Sequence, residues 1–305
     1  MAALGLSSAK MISRRRFLEA LLATPVLAST RISSIDRHAL VTRHNPRLTK
    51  LDPLSPLSLG NGEFAFTADV TGLQTFPRLY ADAMPLCTMS QWGWHTQPLP
   101  SSLKSQTLRP RLYETYGRKV GYNTSSEGQI ELFNWLRENP HRLHLGQIGL
   151  YHAKDIEPAD ITEINQQLDL WRGVLNSKFK LFGEAVSITT AVHPVQDLLA
   201  IVIDSRLTGL GVRIAFPYGS PSIQAADWNQ PDKHETRIIA DGKLIERQLD
   251  GDAYFVRVQG RLKIEGRHSP ITLRCSVHSV YFRATVSIRK RCVALCVRRC
   301  SVGNG

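Results

Sequence analysis

The sequence has little cysteine in its body and lacks the common catalytic signatures. The first 274 of its 305 residues contain one cysteine, Cys87, with no histidine pattern nearby, which favours a buried structural thiol over a nucleophile. No Gly-x-Ser-x-Gly, glycine-rich phosphate loop or His-Glu-x-x-His pattern occurs. These absences exclude the common motifs of serine hydrolases, nucleotide-binding proteins and zinc peptidases, and the sequence predicts no cofactor.

Acidic residues are absent from the C-terminal end. The last one is Glu265, and four of the five cysteines follow it, at Cys275, Cys292, Cys296 and Cys300. Three of them recur every four residues, so three interpretations compete: a metal-binding helix face, disulfides, or a change of reading frame. The lack of any helix or strand pattern favours the last. We expect residues 275–305 to be a basic, cysteine-rich tail outside the native fold.

The net charge of +12 is concentrated at the two ends of the chain. Residues 1–28 carry +3 and residues 275–305 carry +6, which leaves +3 for the 246 residues between them. A phosphate-binding surface needs clustered cations. The body has no dense basic stripe, so no nucleic-acid partner is expected.

No apolar run approaches the roughly 20 residues of a transmembrane helix. The N-terminal run, residues 17–28, is interrupted by Glu19 and Pro25 and follows the twin arginines at positions 14 and 15. A twin-arginine pattern before a short apolar run is typical of an export signal. We expect residues 1–28 to be a signal peptide, a periplasmic or extracellular location, and no membrane association after its removal.

Alternating apolar residues dominate the body, residues 29–274. The alternation is clearest at Val186, Ile188, Thr190 and Val192, at Val212, Ile214 and Phe216, and at Tyr254, Val256 and Val258. Residues 198–203 are continuously apolar, as in a central strand covered on both faces. Asp241-Gly242 between two apolar runs predicts a tight hairpin. So many antiparallel strands require two packed sheets, and the fold class is predicted to be all-β.

Two local features interrupt this strand pattern. The apolar positions change parity between Leu145 and Ile148, which predicts a β-bulge at Gly146. Ser126 and Gln129 have the spacing of a capping box, and the apolar residues that follow predict a short helix ending before Pro140.

Six segments in order resemble the N-terminal domain of family 65-type glycoside hydrolases, in an exported bacterial branch. They read SPLSLGNGEFAFTADVTGLQTF, TMSQWGWH, WLRENPHRLHLGQIGL, QLDLWRGVLNSKF, VSITTAVHPVQDLLAIVI and VRIAFPYG. The resemblance implies an antiparallel β-supersandwich of the galactose-mutarotase type with one or two short helices. In that family an (α/α)6 barrel follows the sandwich and supplies the catalytic acid. Here the resemblance stops at about residue 274, so we expect a truncated chain.

Glycoside hydrolysis needs two carboxylates across the scissile bond. No pairing is visible in the sequence among the candidate acids, which are Glu63, Asp69, Asp82, Glu114 and Asp227. We therefore predict no catalytic residue. His141, His144 and His152 form a cluster in the sequence, but hydrogen-bonded strand histidines are favoured there over a metal site.

The strongest ligand candidate is the segment SQWGWH, which contains two of the five tryptophans. Sugars stack on indole rings, and polar neighbours bind their hydroxyl groups. The predicted carbohydrate contacts are Gln91, Trp92, Trp94 and His95, with Trp228 as a weaker candidate. Packing of both tryptophans in the core, or against another domain, remains the alternative.

Two functions follow. The first is the non-catalytic N-terminal part of an exported carbohydrate-active enzyme, an inverting α-glucoside hydrolase, whose partners would be an α-glucoside-type oligosaccharide and the absent (α/α)6 barrel. The second is a stand-alone carbohydrate-binding or assembly module. Enzymes of this family are often dimers, so a homodimer is one expected assembly.

Overall fold

The computed structural model describes residues 35–239, 244–259, 262–265, 271–275 and 281–290. The predicted signal peptide, the Asp241-Gly242 turn and most of the C-terminal tail lie outside these residues. The chain divides into two compact units at Arg43. In the first unit, helix α1 (Arg37–Thr42) is capped by Asp36, whose carboxylate accepts the Ala39 N–H at 2.9 Å.

The second unit consists mainly of antiparallel strands. They are β1 (Arg47–Leu48), β2 (Leu57–Gly60), β3 (Phe64–Ala68), β4 (Thr88–Ser90), β5 (Trp94–His95), β6 (Arg111–Thr115), β7 (Arg118–Tyr122), β8 (His141–Arg142), β9 (Gln147–Tyr151), β10 (Ile161–Asp169), β11 (Val174–Leu181), β12 (Glu184–Val192), β13 (Leu198–Ser205), β14 (Gly211–Ala215), β15 (His234–Ile239), β16 (Leu244–Leu249), β17 (Asp252–Gln259), β18 (Leu262–Glu265), β19 (Ile271–Cys275) and β20 (Tyr281–Lys290). Two short helices, α2 (Pro77–Tyr80) and α3 (Ile130–Glu138), interrupt them.

One large sheet forms the first layer, with the strand order β1-β10-β11-β12-β13-β20-β17-β16-β15. Alternation accounts for its buried face, because successive side chains of a strand point to opposite sides. On β12 the predicted inward residues Val186, Ile188 and Thr190 are buried, and the fourth, Val192 at the end of the strand, is partly buried. On β13, Leu199, Ile201 and Ile203 are buried, while the residues between them are partly buried. β13 is the fifth of nine strands, which confirms its predicted central position, while only one of its two faces is fully buried.

Smaller sheets supply the second layer. Their strand orders are β18-β19-β14-β9, β2-β3-β4 and β5-β8, and the hairpin β6–β7 pairs only with itself among the described strands. Buried side chains from the large sheet, from β3 and from β9 and β14 form one continuous apolar cluster. Two sheet layers that share one core confirm the predicted all-β sandwich.

The hairpin prediction around Asp241-Gly242 is confirmed in its strands. β15 and β16 pair antiparallel, with Ile239 opposite Leu244. The turn residues themselves lie outside the described residues.

Gly146 resolves the parity change, although by a different geometry from the predicted β-bulge. It lies between β8 and β9 with φ +141°, and a Cβ there would meet the Phe216 ring at 3.0 Å. Leu143 and Leu145 before it and Ile148 and Leu150 after it are all buried. A glycine that breaks the strand therefore keeps both apolar pairs in the core.

The predicted helix is present as α3, but its predicted capping box is wrong. Gln129, not Ser126, precedes the helix, and it makes no side-chain capping hydrogen bond. Glu127 and Gly128 have φ of +44° and +81°, a left-handed backbone that a right-handed helix does not contain. The helix therefore begins only at Ile130.

Residues 281–290 form β20, although the sequence alone places them in the tail. This strand pairs with β13 on one side and β17 on the other, with Ile201 opposite Ala284 and Val256 opposite Ile288. The remaining tail residues, 276–280 and 291–305, lie outside the described residues, and the domain boundary at residue 274 stays a prediction.

Candidate functional site

The segment from Ser90 to His95 joins two strands through a tight turn. β4 ends at Ser90, the Gly93 N–H donates to the Ser90 carbonyl oxygen at 3.0 Å, and β5 begins at Trp94. A Cβ on Gly93 would lie 3.2 Å from that oxygen, so the turn is closely packed. Because Trp92 lies in the turn and Trp94 in the strand, the two indoles occupy different environments.

Trp92 is partly buried and packs against the core. Its indole N–H donates to Asp197 Oδ2 at 2.6 Å, and the same oxygen accepts the Ser90 hydroxyl at 2.6 Å. Its ring lies 6.3 Å from that of Tyr254 on β17. Trp92 therefore connects the second layer to the large sheet through packing and a partly buried hydrogen bond.

Trp94, by contrast, is 42% exposed. The Arg142 guanidinium carbon lies 4.1 Å from the centre of its ring. Arg142 Nη1 also donates to the carbonyl oxygens of Ser90 and Gln91, at 3.2 and 2.9 Å. A stacked guanidinium that is also hydrogen-bonded holds the indole in one orientation. We call Trp94, Arg142 and the exposed Gln91 the Trp94 platform.

His95 points away from this surface and is 1% exposed. Its Nδ1 lies 3.1 Å from His141 Nε2, and its Nε2 lies 2.8 Å from Asp250 Oδ2. The same Asp250 oxygen accepts the Tyr218 hydroxyl at 2.8 Å. A Cβ on Gly219 would come within 2.3 Å of His95 Nδ1, so only glycine fits beside the ring.

The other predicted histidines do not converge with this pair. His144 is buried, where its Nδ1 accepts the Gly146 N–H at 3.2 Å and its Nε2–H donates to the Leu86 carbonyl oxygen at 3.0 Å. Burial lowers the pKa of His144 to about 4. His152 Nε2 lies 3.2 Å from the Thr208 carbonyl oxygen. Within the described ranges, no three His, Cys, Asp or Glu side chains are grouped so that they could hold a metal ion.

Of the five candidate acids, only Asp69 is buried. Its carboxylate accepts the backbone N–H groups of Thr71, Thr75 and Phe76 and the Thr71 hydroxyl, at 2.5–2.9 Å. Burial nevertheless raises its pKa to about 6. These contacts identify Asp69 as the organiser of the loop after β3.

Cys87 is partly buried, and burial raises the pKa of its thiol to about 11. Its Sγ lies 3.7 Å from the Gln224 carbonyl oxygen. A thiol that stays protonated at neutral pH is a poor nucleophile. This environment agrees with the structural role that the sequence favours.

Trp228 is 40% exposed and contacts His144 edge-on, with ring centres 5.8 Å apart. Arg142, Asp197, Asp250 and Tyr218 complete the surroundings of the predicted site, yet the sequence analysis did not find them. They lie 47–159 positions away from Gln91–His95 in the chain, on elements that only folding brings close. No local motif could have revealed them.

Comparisons with known proteins assign no family. No protein-family model matches the sequence, and no curated protein matches it. Among solved structures, the chain is similar to "Putative kojibiose phosphorylase from human microbiome" with a TM-score of 0.47 and 10% identity, covering 81% of this chain and 32% of that one. It is also similar to "Glycoside hydrolase family 81 from Clostridium thermocellum (CtLam81A), Mutant E515A", with a TM-score of 0.34 and 11% identity over 75% of this chain and 22% of that one. The chain thus spans about a third or less of each, and neither likeness assigns a function.

None of the described helices has the length and apolar character needed to cross a bilayer.

Proposed function

We propose that this sandwich is the non-catalytic, carbohydrate-contacting N-terminal part of an exported carbohydrate-active enzyme. The parent activity is inverting hydrolysis of α-glucosides, with the catalytic acid on a separate (α/α)6 barrel. The Trp94 platform is the observation that carries this proposal. The resemblance of six sequence segments to family 65-type glycoside hydrolases supports it.

The platform has the chemistry that a sugar requires. A pyranose ring presents a face of C–H groups that packs on an aromatic ring, and its hydroxyl groups need polar partners at the edge. Trp94 offers an exposed indole, and Gln91 offers an exposed amide beside it. Since Arg142 already orients the indole, little side-chain entropy is lost on binding.

The surroundings of the acids support the non-catalytic part of the proposal. A general acid in a glycosidase must reach the glycosidic oxygen. The carboxylate with a raised pKa, Asp69, is 0% exposed and already accepts four hydrogen bonds. It cannot meet a substrate without dismantling the loop that it holds.

Binding to maltotriose tests the platform directly. We expect the purified chain to bind this α-glucan probe, and Trp94→Ala to weaken the affinity by at least about tenfold, the loss typical of a central aromatic contact. Isothermal titration calorimetry provides the measurement. Trp171→Ala is the matched control, because Trp171 is also exposed, at 51%, but lies in the β10–β11 turn. Equal affinity of Trp94→Ala and the control would remove the platform from the proposal.

Catalysis gives a second, independent test. We expect the purified chain to release no glucose from maltose, kojibiose or trehalose, because Asp69, the carboxyl group whose pKa burial raises, is enclosed in the core. A coupled glucose assay, with an active α-glucosidase as the positive control, makes the measurement. Turnover that survives repurification would contradict the non-catalytic role.

A further inference from the structure

Four side chains behind the Trp94 platform form a row in which His141, His95 and Tyr218 are buried, whereas the Asp250 side chain is 24% exposed. In order they are His141, His95, Asp250 and Tyr218, with donor–acceptor distances of 3.1, 2.8 and 2.8 Å between neighbours. At the near end, His141 Nδ1 lies 3.0 Å from the Glu138 carbonyl oxygen. Both ring nitrogens of each imidazole are therefore in hydrogen-bond contact, so the protons can be counted.

The outer two contacts each need a proton on the imidazole. A carbonyl oxygen only accepts, so His141 Nδ1 carries a hydrogen that it donates to Glu138. Asp250 Oδ2 already accepts the Tyr218 hydroxyl, and the ionised carboxylate also accepts from His95 Nε2. Each ring thus uses the one N–H that a neutral imidazole has.

The central contact requires a third proton. With both rings neutral, the lone pairs of His95 Nδ1 and His141 Nε2 would face each other across 3.1 Å. One added proton turns this opposition into a charge-assisted hydrogen bond. A hydrogen bond between the two rings would therefore give the pair one positive charge, opposite the Asp250 carboxylate.

The carboxylate contact, rather than burial, favours His95 as the site of that charge. Desolvation lowers the pKa of His141, and the nearby charge of His95 lowers it further. His95 is the ring in contact with a carboxylate, and a buried charge persists only beside such a partner. The other charged groups facing the row are Asp227 and Lys233, whose ammonium lies 5.3 Å from the Tyr218 ring. Burial, then the Asp250 contact and last Asp227 raise the pKa of Tyr218. Burial lowers the pKa of His141, and the contacts with the Glu138 carbonyl oxygen and carboxylate act in the opposite direction.

A metal ion between the two rings is the competing explanation of the close nitrogens. The backbone of Gly219 packs against His95 Nδ1 so closely that not even a methyl group fits. A metal ion would need further ligands at that point. A proton needs no such space.

The row is coupled to the platform through two short strands. β5 and β8 pair over only two positions, Trp94 opposite Arg142 and His95 opposite His141. One pair carries the stacked indole and the other carries the imidazole contact. Loss of the shared proton would push the two rings apart within this two-residue ladder.

We propose that His95, His141 and Asp250 are positioning residues that hold the Trp94 platform in its binding geometry only while the imidazole pair carries its third proton. This proposal rests on the proposed function, which it deepens by making carbohydrate binding sensitive to pH. Raising the pH removes the proton, loosens the β5–β8 pairing and weakens binding.

Nuclear magnetic resonance of the ¹⁵N-labelled chain tests the proton count without any ligand. We expect hydrogens on both ring nitrogens of His95 and on Nδ1 alone of His141 at mildly acidic pH. On raising the pH, the Trp94 indole resonance should move with the same midpoint as the loss of that proton. A His95 that carries a single hydrogen throughout, or a Trp94 signal that does not follow it, would overturn the proposal.

Three variants separate this role from simple structural support. Asp250→Asn removes the counter-charge and should lower the midpoint by at least about one pH unit, a tenfold loss of proton affinity. His141→Gln offers an uncharged amide N–H to His95 Nδ1, so the Trp94 signal should lose its pH dependence while the chain still folds. Asp204→Asn, which removes an exposed carboxylate from β13, should leave the midpoint unchanged. Pronounced pH dependence retained in His141→Gln would contradict the proposal.

Calorimetry with maltotriose then separates this inference from the proposed function. If both hold, the affinity falls on raising the pH with the midpoint seen in the spectra. If the chain binds no maltotriose but the Trp94 signal still follows the His95 proton, the carbohydrate function fails while the proton-dependent positioning stands. If the chain binds maltotriose but the affinity does not depend on pH, or depends on pH in a way that His141→Gln does not remove, the positioning role fails while the carbohydrate function stands.

Discussion

Replacing Arg247 with alanine is expected to lower the free energy of unfolding by about 3–5 kcal/mol, because each buried acceptor left unpaired costs about 1–3 kcal/mol and a cavity adds to the loss. Arg247 lies on β16 and is 0% exposed. Nη1 donates to the Glu235 carbonyl oxygen and the Thr236 hydroxyl at 2.9 and 2.5 Å. Nη2 donates to the Pro217 carbonyl oxygen at 3.3 Å and lies 2.8 Å from His234 Nδ1.

The stacking of Arg247 adds to this effect. Its guanidinium carbon lies 4.7 Å from the centre of the Phe216 ring, so the side chain joins β16 to the segment after β14. Urea unfolding followed by tryptophan fluorescence measures the change. Arg237→Ala is the matched control, since Arg237 is exposed, pairs with Glu235, and should change stability by less than about 0.5 kcal/mol.

A third variant distinguishes the contribution of the planar, branched guanidinium from that of its positive charge. Arg247→Lys keeps the charge but cannot reach acceptors on two sides, so most of the loss should remain. If Arg247→Ala lowers the free energy of unfolding by less than about 1 kcal/mol, the acceptors find other partners, and Arg247 does not stabilise the fold through these hydrogen bonds.

The second large expected effect concerns two buried side chains, His144 and Asp69. They change the free energy of unfolding in opposite directions as the pH changes. Burial lowers the pKa of His144 from 6.5 to about 4. Between these two pH values the imidazole is therefore protonated in the unfolded chain but neutral in the folded chain. Its contribution to stability is therefore present above pH 6.5 and is lost as the pH falls toward 4. Burial raises the pKa of Asp69 from 3.8 to about 6, so its contribution is present below pH 3.8 and is lost as the pH rises through 6.

Each shift corresponds to about 3 kcal/mol, since one pKa unit is worth about 1.4 kcal/mol. Relative to the wild type, His144→Gln should gain about 3 kcal/mol of stability as the pH falls from 6.5 to 4. Asp69→Asn should lose a similar amount over the same interval. Denaturant unfolding at several pH values measures both differences. Comparing how the free energy of unfolding changes with pH removes the pH-independent cost of each substitution. Parallel slopes for His144→Gln and the wild type would contradict the prediction.

Period-two alternation predicted much of the large sheet. β12 and β17 follow their alternating apolar patterns closely, because a strand with one buried face must alternate, and the continuously apolar segment 198–203 lies in β13. Helix α3 was predicted in type but not in its start, since a capping-box spacing does not reveal the left-handed backbone of Glu127 and Gly128. β20 was missed although Phe282, Ala284, Val286 and Ile288 alternate with polar residues, because the basic, acid-free composition of the C-terminal end was given more weight than that pattern.

At the candidate site, too, the sequence predicted part of the arrangement and the fold decided the rest. The sequence singled out Trp92 and Trp94 but left open whether they pack in the core or contact a ligand. The structure gives each residue a different environment, with Trp92 bonded to Asp197 and Trp94 stacked on Arg142 at the surface. This distinction depends on residues 48–105 positions away, which carry no signal next to the tryptophans.

The sequence by itself determined the all-β class and the inward face of the main strands, because both follow from side-chain alternation along a single segment. Only the tertiary structure decided which indole is exposed and which histidines meet. Those outcomes depend on contacts between distant segments, where a hydrogen bond such as that between His95 and Asp250 forms across 155 positions. Local patterns report the burial of a face, whereas the partner of a polar side chain is set by how the layers pack.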